Sequence, residues 1–218
     1  MGRLMAAVDT TLLADWIARF GAAVTEKRDW LTELDSAIGD ADHGANMARG
    51  MGAVGEKLSA GAPATVDELL KTVGMTLVSS VGGASGPLYG TFFLRMGMAA
   101  GAVSDLDGDA LAAALRAGLD GIVARGKAEA GDKTMFDAMA PAVDAMDAAL
   151  AAGTSVSDAA RAAADAAAAG RDATLPLVAR KGRASYLGER SAGHLDPGAA
   201  STAILFETLA ETIEDSAR

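Results

Sequence analysis

Three aspartates stand close together in the chain: Asp35, then Asp40 and Asp42 inside "IGDADHGANM", residues 38–47. Like charges at this spacing repel, so a cation belongs among them. Asp40 and Asp42, two apart in extended backbone, project to one side, and Asp35 near the end of the preceding helix can turn in to join them. Carboxylates without thiolates or a histidine cluster suit a hard cation, Mg²⁺ in particular, which keeps positions open for phosphate oxygens. The competing account is local: Asp42 caps a helix beginning near Gly44, and Asp40 makes an Asx turn. An EF-hand is excluded, because counted from Asp40 its sixth position is Ala45 rather than Gly and its twelfth is Met51 rather than Glu.

Three other stretches could do chemistry. In "GGASGPLYGT", residues 82–91, Gly82, Gly83 and Gly86 let backbone N–H groups turn to a ligand, and Ser85 adds a hydroxyl. A helix starting near Pro87 would favour an anion at its N-terminus; an ordinary flexible connection explains the same residues. "AGDKTM" covers 130–135. In "KGRASYLGERSAGHLDPG", residues 181–198, Arg183 could neutralise phosphate with a forked guanidinium, and Asp196-Pro197-Gly198 is a turn that could approach a base or ribose. His43 and His194, the two histidines, could each be a phosphoryl carrier, a general base or structural. "GIVARGKA", 121–128, imitates a P-loop, but Ala128 lacks the Mg²⁺-binding hydroxyl and a helix, not a strand, precedes it. Gly126 remains a candidate nucleotide contact.

The elements that must hold these residues are helical. Leu13, Trp16, Ile17, Phe20 and Val24 recur on one face; Val66, Leu69, Leu70, Val73 and Leu77 on another; Leu111, Leu115, Leu119 and Ile122 on a third. Thr65–Glu68 carries a capping-box pattern. No convincing strand is legible. The spacing predicts eight helices, over 10–37, 44–60, 65–81, 87–102, 108–129, 134–152, 155–181 and 199–216, with Pro141 and Pro176 as kinks or breaks. The alanine-rich stretch 148–169 is helix packed through small residues. Trp16 and Trp30 are assigned to the core. In an antiparallel up-and-down array, loops 38–46, 82–90 and 182–198 share one end; loop 130–135, counted between helices six and seven, falls at the other.

The chain has 218 residues, half of them hydrophobic, and a formal net charge of −10. That suits one domain over 1–218 with a sizeable core and excludes a general nucleic-acid surface. Without cysteine there are no disulfides or thiolate metal sites. "MGRLMAAVDTT" is too short in apolar residues for a signal peptide, and Ala6 lacks the hydroxyl of a myristoylation signal. Residues 73–94 are uncharged but broken by "GGASGP", so no membrane span is expected. The expectation is a soluble, cytoplasmic protein.

Taken together and in order, "LTELDSAIGDADHGANMARG", "GGASGPLYGT", "GDKTM" and "GRASYLGERSAGHLDPGA" resemble the L subunit of dihydroxyacetone kinase, the nucleotide-binding half of that enzyme. The resemblance spans roughly 10 to 215. It implies an all-α fold, a barrel of eight antiparallel helices with the nucleotide, ADP or ATP, at one end. It implies that Asp35, Asp40 and Asp42 hold two Mg²⁺ ions bridging the phosphates. His43, Gly44, Ala45, Asn46, Ala84 and Ser85 would line the nucleotide. Gly126 and Met135 would flank the base, and Arg183, Asp196, Pro197 and Gly198 would complete the pocket. The family usually reads G-D-G-D-H-G, and Ala41 replaces the middle glycine here; the backbone must be extended there or slightly strained.

Phosphoryl transfer is mainly positioning plus charge neutralisation, with Arg183 the candidate catalytic cation. The resemblance implies a partner K subunit that holds a small ketose, dihydroxyacetone or a relative such as erythrulose. The nucleotide would be either ADP kept as a coenzyme and rephosphorylated by a phosphohistidine donor protein of the phosphotransferase system, or freely exchanging ATP. It also implies a homodimer or hetero-oligomer, and a possible regulatory partner, a transcription activator. A plain phosphohistidine carrier using His43 or His194 is the remaining alternative; it would not need the aspartates.

Overall fold

In a computed structural model, described over residues 7–61 and 63–218, the periodic segments form helices α1 (Thr10–Glu26), α2 (Arg28–Ile38), α3 (His43–Ser59), α4 (Val66–Ser80), α5 (Ser85–Ala100), α6 (Gly108–Gly126), α7 (Phe136–Ala151), α8 (Val156–Ala173) and α9 (Pro197–Ser216). The residues on which the leader and myristoylation expectations rested, including Ala6, lie outside those described.

Each predicted apolar face is buried in full. α3 packs on α1 and α2, and from there each helix packs on the next through α9, which returns to α1, so the helices close a ring. α4 and α5 approach closely because Gly74 and Gly90 lie where they cross; a side chain on Gly74 would meet the Gly90 carbonyl oxygen at 2.7 Å. In α8 the inward stripe is Val156, Ala159, Ala160, Ala163, Ala164 and Ala167, small residues in a close-packed contact. α9 buries side chains nearly all round, and its Leu205 carbonyl accepts from the Trp16 indole at 3.0 Å.

The structure differs from expectation at several points. The first predicted helix breaks at Lys27 into α1 and α2. The segment predicted through 181 ends at Ala173, so Pro176 lies outside any helix. Pro141 stays inside α7. Trp30 is 37% exposed, because α2 turns Leu31, Asp35 and Ile38 inward and leaves its neighbour outside. A two-residue antiparallel pair, β1 (Val8–Asp9) with β2 (Asp105–Leu106), ties the chain before α1 to the α5–α6 connection. The capping box does not form: Glu68 accepts from the Ala64 N–H at 3.2 Å, one residue before the N-cap Thr65, whose hydroxyl bonds Asp67 instead of the helix backbone.

Loop 130–135 joins α6 to α7, the fifth and sixth predicted helices. With α1 and α2 counted as one broken arm, it shares an end with 38–46, 82–90 and 182–198, and the earlier count is corrected. Four connections therefore meet at one end of the ring.

Candidate nucleotide and metal site

The acid loop is built around Asp35. Its buried carboxylate accepts the backbone N–H groups of Asp42 at 2.8 Å and His43 at 3.0 Å, folding the loop back over the end of α2. Ala41 sits at φ +61°, so the backbone there is left-handed and strained rather than extended. The turn nevertheless converges the carboxylates: one oxygen from each of Asp35, Asp40 and Asp42 lies within 4.8 Å of the others. Asp42 makes no side-chain cap bond to α3, so the local account of that residue fails and its oxygens stay free. Asp40 pairs with the Arg183 guanidinium at 3.0 Å, a positive group already drawn to the acidic cluster. An all-carboxylate set of this kind fits a hard divalent cation.

The cluster faces a cavity of about 430 Å³ walled by all four connections. Opposite the aspartates stand Gly82, Gly83 at φ +66°, Ala84 and Ser85, where α5 begins. Gly126 and Met135 form a further wall, and Arg183 with Asp196, Pro197 and Gly198 closes it. Gly44, Ala45 and Asn46 are not on the wall. They follow His43 around the first turn of α3, where Gly44 backs onto Arg28 and Thr32, Ala45 is exposed, and Asn46 accepts from Arg49 at 2.7 Å and lies directly against Gly82 of the wall.

Sequence reasoning missed Lys133. It is 1% exposed, at φ +62°, and lines the cavity. Its ammonium donates to the carbonyls of Thr174 at 2.7 Å and His194 at 2.5 Å, fastening the long 174–196 connection to loop 130–135. Burial lowers its pKa. The signal was its place in "GDKTM", between residues assigned to the site. The same connection is held by the Arg180 N–H on the Asp132 carbonyl at 3.1 Å and by a small apolar cluster of Ile38, Ala179 and Ala184 beside the acid loop. Asp196 caps α9, accepting from the Ala199 N–H at 2.7 Å, and burial pushes its carboxyl up to about 7. His43 is buried with both ring nitrogens at hydroxyls, Nδ1 at Ser85 (3.0 Å) and Nε2 at Ser201 (2.9 Å). Burial holds its pKa below the usual histidine range against the pull of Asp35 and Asp42. His194 is exposed. No helix among the described residues is long and apolar enough to cross a membrane.

Comparison with known proteins agrees with this geometry. Residues 37–211 match the DAK2 domain. The chain is 47% identical over 200 residues to the PEP-dependent dihydroxyacetone kinase, ADP-binding subunit DhaL, of Escherichia coli K12, covering 92% of this chain and 95% of that one. It is 44% identical over 209 residues to the PTS-dependent counterpart of Lactococcus lactis, covering 96% of this chain and 100% of that one. The dihydroxyacetone kinase from C. freundii in complex with AMP-PNP and Mg²⁺ superposes with a TM-score of 0.69 at 30% identity, over 92% of this chain and 34% of that one. With a family match over most of the chain and relatives covered almost end to end, the chain is a member of the DAK2-domain family, of the L-subunit type of dihydroxyacetone kinase.

Proposed function

We propose that the chain is the Mg-nucleotide subunit of a kinase that phosphorylates a small ketose held on a separate K subunit, with ADP as a bound coenzyme recharged by a phosphohistidine protein of the phosphotransferase system. The observation that carries this is the convergence of three carboxylates on one cavity with a glycine-rich helix start facing them. Asp35, Asp40 and Asp42 would hold Mg²⁺, two ions in this reading. Bound there, the metal would offset the three carboxylates and supply charge neutralisation for the phosphate oxygens on the aspartate side of the cavity, while Arg125, Lys181 and Arg183 line other parts of its wall.

The chain's own residues do the rest. Asp35 holds the acid loop in shape through two backbone N–H groups. The start of α5 presents N–H groups to an anion. Gly126 and Met135 would receive the base, and the 196–198 turn would close over the nucleotide. Arg183, 69% exposed at its side chain, can swing from Asp40 to a transferring phosphoryl group. Both nitrogens of His43 are engaged by hydroxyls, which speaks against a carrier role and leaves the base for the ketose hydroxyl to the partner. The coenzyme mode is preferred over exchanging ATP because identity is higher to relatives named as PEP-dependent (47%) than to D-erythrulose kinase (35%) or L-erythrulose 1-kinase (38%) of Mycolicibacterium smegmatis. A regulatory contact with a transcription activator, a homodimer or hetero-oligomer, and a cytoplasmic location are compatible with the same reading.

The test is to purify the chain without added nucleotide, with and without EDTA, then denature it and chromatograph what is released. Stoichiometric ADP that survives gel filtration and leaves with EDTA is the expected result. Binding only on addition of ATP and Mg²⁺ would replace the coenzyme mode with an exchanging one. No binding in either condition would overturn the nucleotide role.

A further inference from the structure

Of the lysines and arginines that line the cavity, Lys133 alone is buried, and its ammonium is spent away from the cavity. It has three N–H donors and faces three carbonyls, Thr174 at 2.7 Å, Leu175 at 3.5 Å and His194 at 2.5 Å. None is left for a ligand. These carbonyls come from the two sides of one neck. There the Gly193 N–H donates to the Leu175 carbonyl at 2.8 Å and the Asp196 N–H to Thr174 Oγ1 at 3.1 Å, closing the 174–196 connection into an Ω-shaped loop. The His194 carbonyl has no other donor among the described residues. The lysine itself is mounted on a stiff turn. Asp137 accepts from the N–H groups of Gly131 at 2.6 Å and Thr134 at 2.8 Å, and Asp132 from that of Glu129 at 2.9 Å. Lys133 is held left-handed between them at φ +62°, a conformation that a residue with a side chain adopts at a cost. The body of the loop is lightly held by contrast. Its buried apolar residues are Ala179 and Ala184, set against Ile38. Yet it gives Lys181, Arg183 and Ala184 to the cavity wall, and its neck leads directly into Asp196, Pro197 and Gly198.

We infer that Lys133 is a positioning residue for the nucleotide: it pins the neck of the 174–196 loop, holds Arg183 and the 196–198 turn in place against the acid loop, and thereby sets how slowly nucleotide leaves. It is not a phosphate ligand, although it is a lysine in the wall of a phosphate site. One cation thus fixes two parts of the wall that lie on either side of the neck. The effect on nucleotide rests on the nucleotide reading above, but the pinned neck is a property of the chain without ligand.

Residue-resolved amide hydrogen exchange on the ligand-free chain reads the pin directly. In wild type the Gly193 and Arg180 amides, both outside helices, are expected to be protected. In Lys133→Met they should lose about tenfold of that protection or more, beyond any loss in the interiors of α1 and α9. An unprotected Gly193 amide in wild type would overturn the inference with no variant needed, and so would unchanged protection in the variant. A second arm times the release of a fluorescent ADP analogue with Mg²⁺ by chase, separately from its association. Lys133→Met is expected to release about tenfold faster, with association within about twofold of wild type. Thr174→Val removes the acceptor of the Asp196 N–H and leaves the cation in place. It should speed release in the same direction by about threefold, and it decides the matter if Lys133→Met does not fold. Faster release with no loosening of the ligand-free loop would make Lys133 a direct phosphate ligand and overturn its positioning role. Unchanged release in both variants would overturn it as well. Absence of Mg·ADP binding by the wild-type chain would sink the nucleotide reading instead, with the pinned neck still decided by the exchange measurement.

Discussion

At the residue scale, the acid loop makes the sharpest predictions. Asp40 bonds no backbone group and pairs with an exposed arginine, so Asp40→Asn is expected to abolish Mg-dependent nucleotide retention while leaving helix content by circular dichroism unchanged. Retained nucleotide in this variant would refute the metal assignment. Ala41, held left-handed at φ +61°, stores strain that glycine would release. Ala41→Gly should stabilise the chain by about 0.5–1 kcal/mol, a rise in Tm of roughly 1–4 °C in thermal melts. Asp196 offers a pH test. Burial raises its carboxyl to about 7 in the folded state, and Asp137 and Asp35 push the same way while Lys133 opposes them. The folded chain therefore binds this proton more tightly than the unfolded one. The stability it contributes is complete below the ordinary aspartate range and is lost as pH rises toward 7. Melts from pH 5 to 7.5 should fall more steeply for wild type than for Asp196→Asn, which keeps the cap on α9; equal slopes would refute the shift. The three aspartates were legible as a candidate metal set from type and spacing. Their convergence was not: it depends on a left-handed alanine and on Asp35 reaching two backbone N–H groups, neither of which spacing reveals.

At the scale of elements, most helices followed from apolar periodicity because they bury one stripe; the α1 stripe was named in full, and those of α4 and α6 through their large residues, without the glycines and alanines between them. What periodicity cannot see is what fastens a long connection. The 174–196 segment buries few apolar residues, Ala179 and Ala184, and is tied by Lys133, whose ammonium bonds carbonyls at both of its ends. Lys133→Met would preserve volume but remove the donor to the His194 carbonyl and leave the Thr174 carbonyl with the Leu177 N–H at 3.2 Å. Removing that donor should outweigh the relief of burying no charge, costing about 2 kcal/mol, or roughly 4–8 °C in Tm. An unchanged Tm would mean that water replaces the ammonium there. A lysine read from sequence is a surface charge by default; only its left-handed backbone and the carbonyls around it make it a clamp.

At the scale of the whole molecule, a net charge of −10 and three carboxylates converging on one side of the cavity oppose a polyphosphate there until a divalent ion intervenes. Mg²⁺ with ADP should therefore raise Tm where ADP alone does not. At a hundredfold excess over Kd the gain is about 2.7 kcal/mol, roughly 5–10 °C for a chain of this size. Equal shifts with and without Mg²⁺ would contradict metal-dependent binding. The effect is global because the ligand would join connections from all four corners of one end of the ring, each anchored to a different pair of helices.

The sequence by itself determined the helical class, three of the buried faces, the acidic cluster and the segments that wall the cavity, because residue type, charge and 3.6-residue periodicity are local properties. The tertiary structure alone decided that loop 130–135 joins the other three at one end, that Gly44 and Ala45 do not line the cavity while Asn46 lies against Gly82 of its wall, and that Lys133 in that wall clamps the 174–196 connection while Ser201 bonds His43. These depend on contacts between residues tens to more than a hundred positions apart, and on backbone angles that a closed, close-packed ring imposes on residues that would not otherwise adopt them.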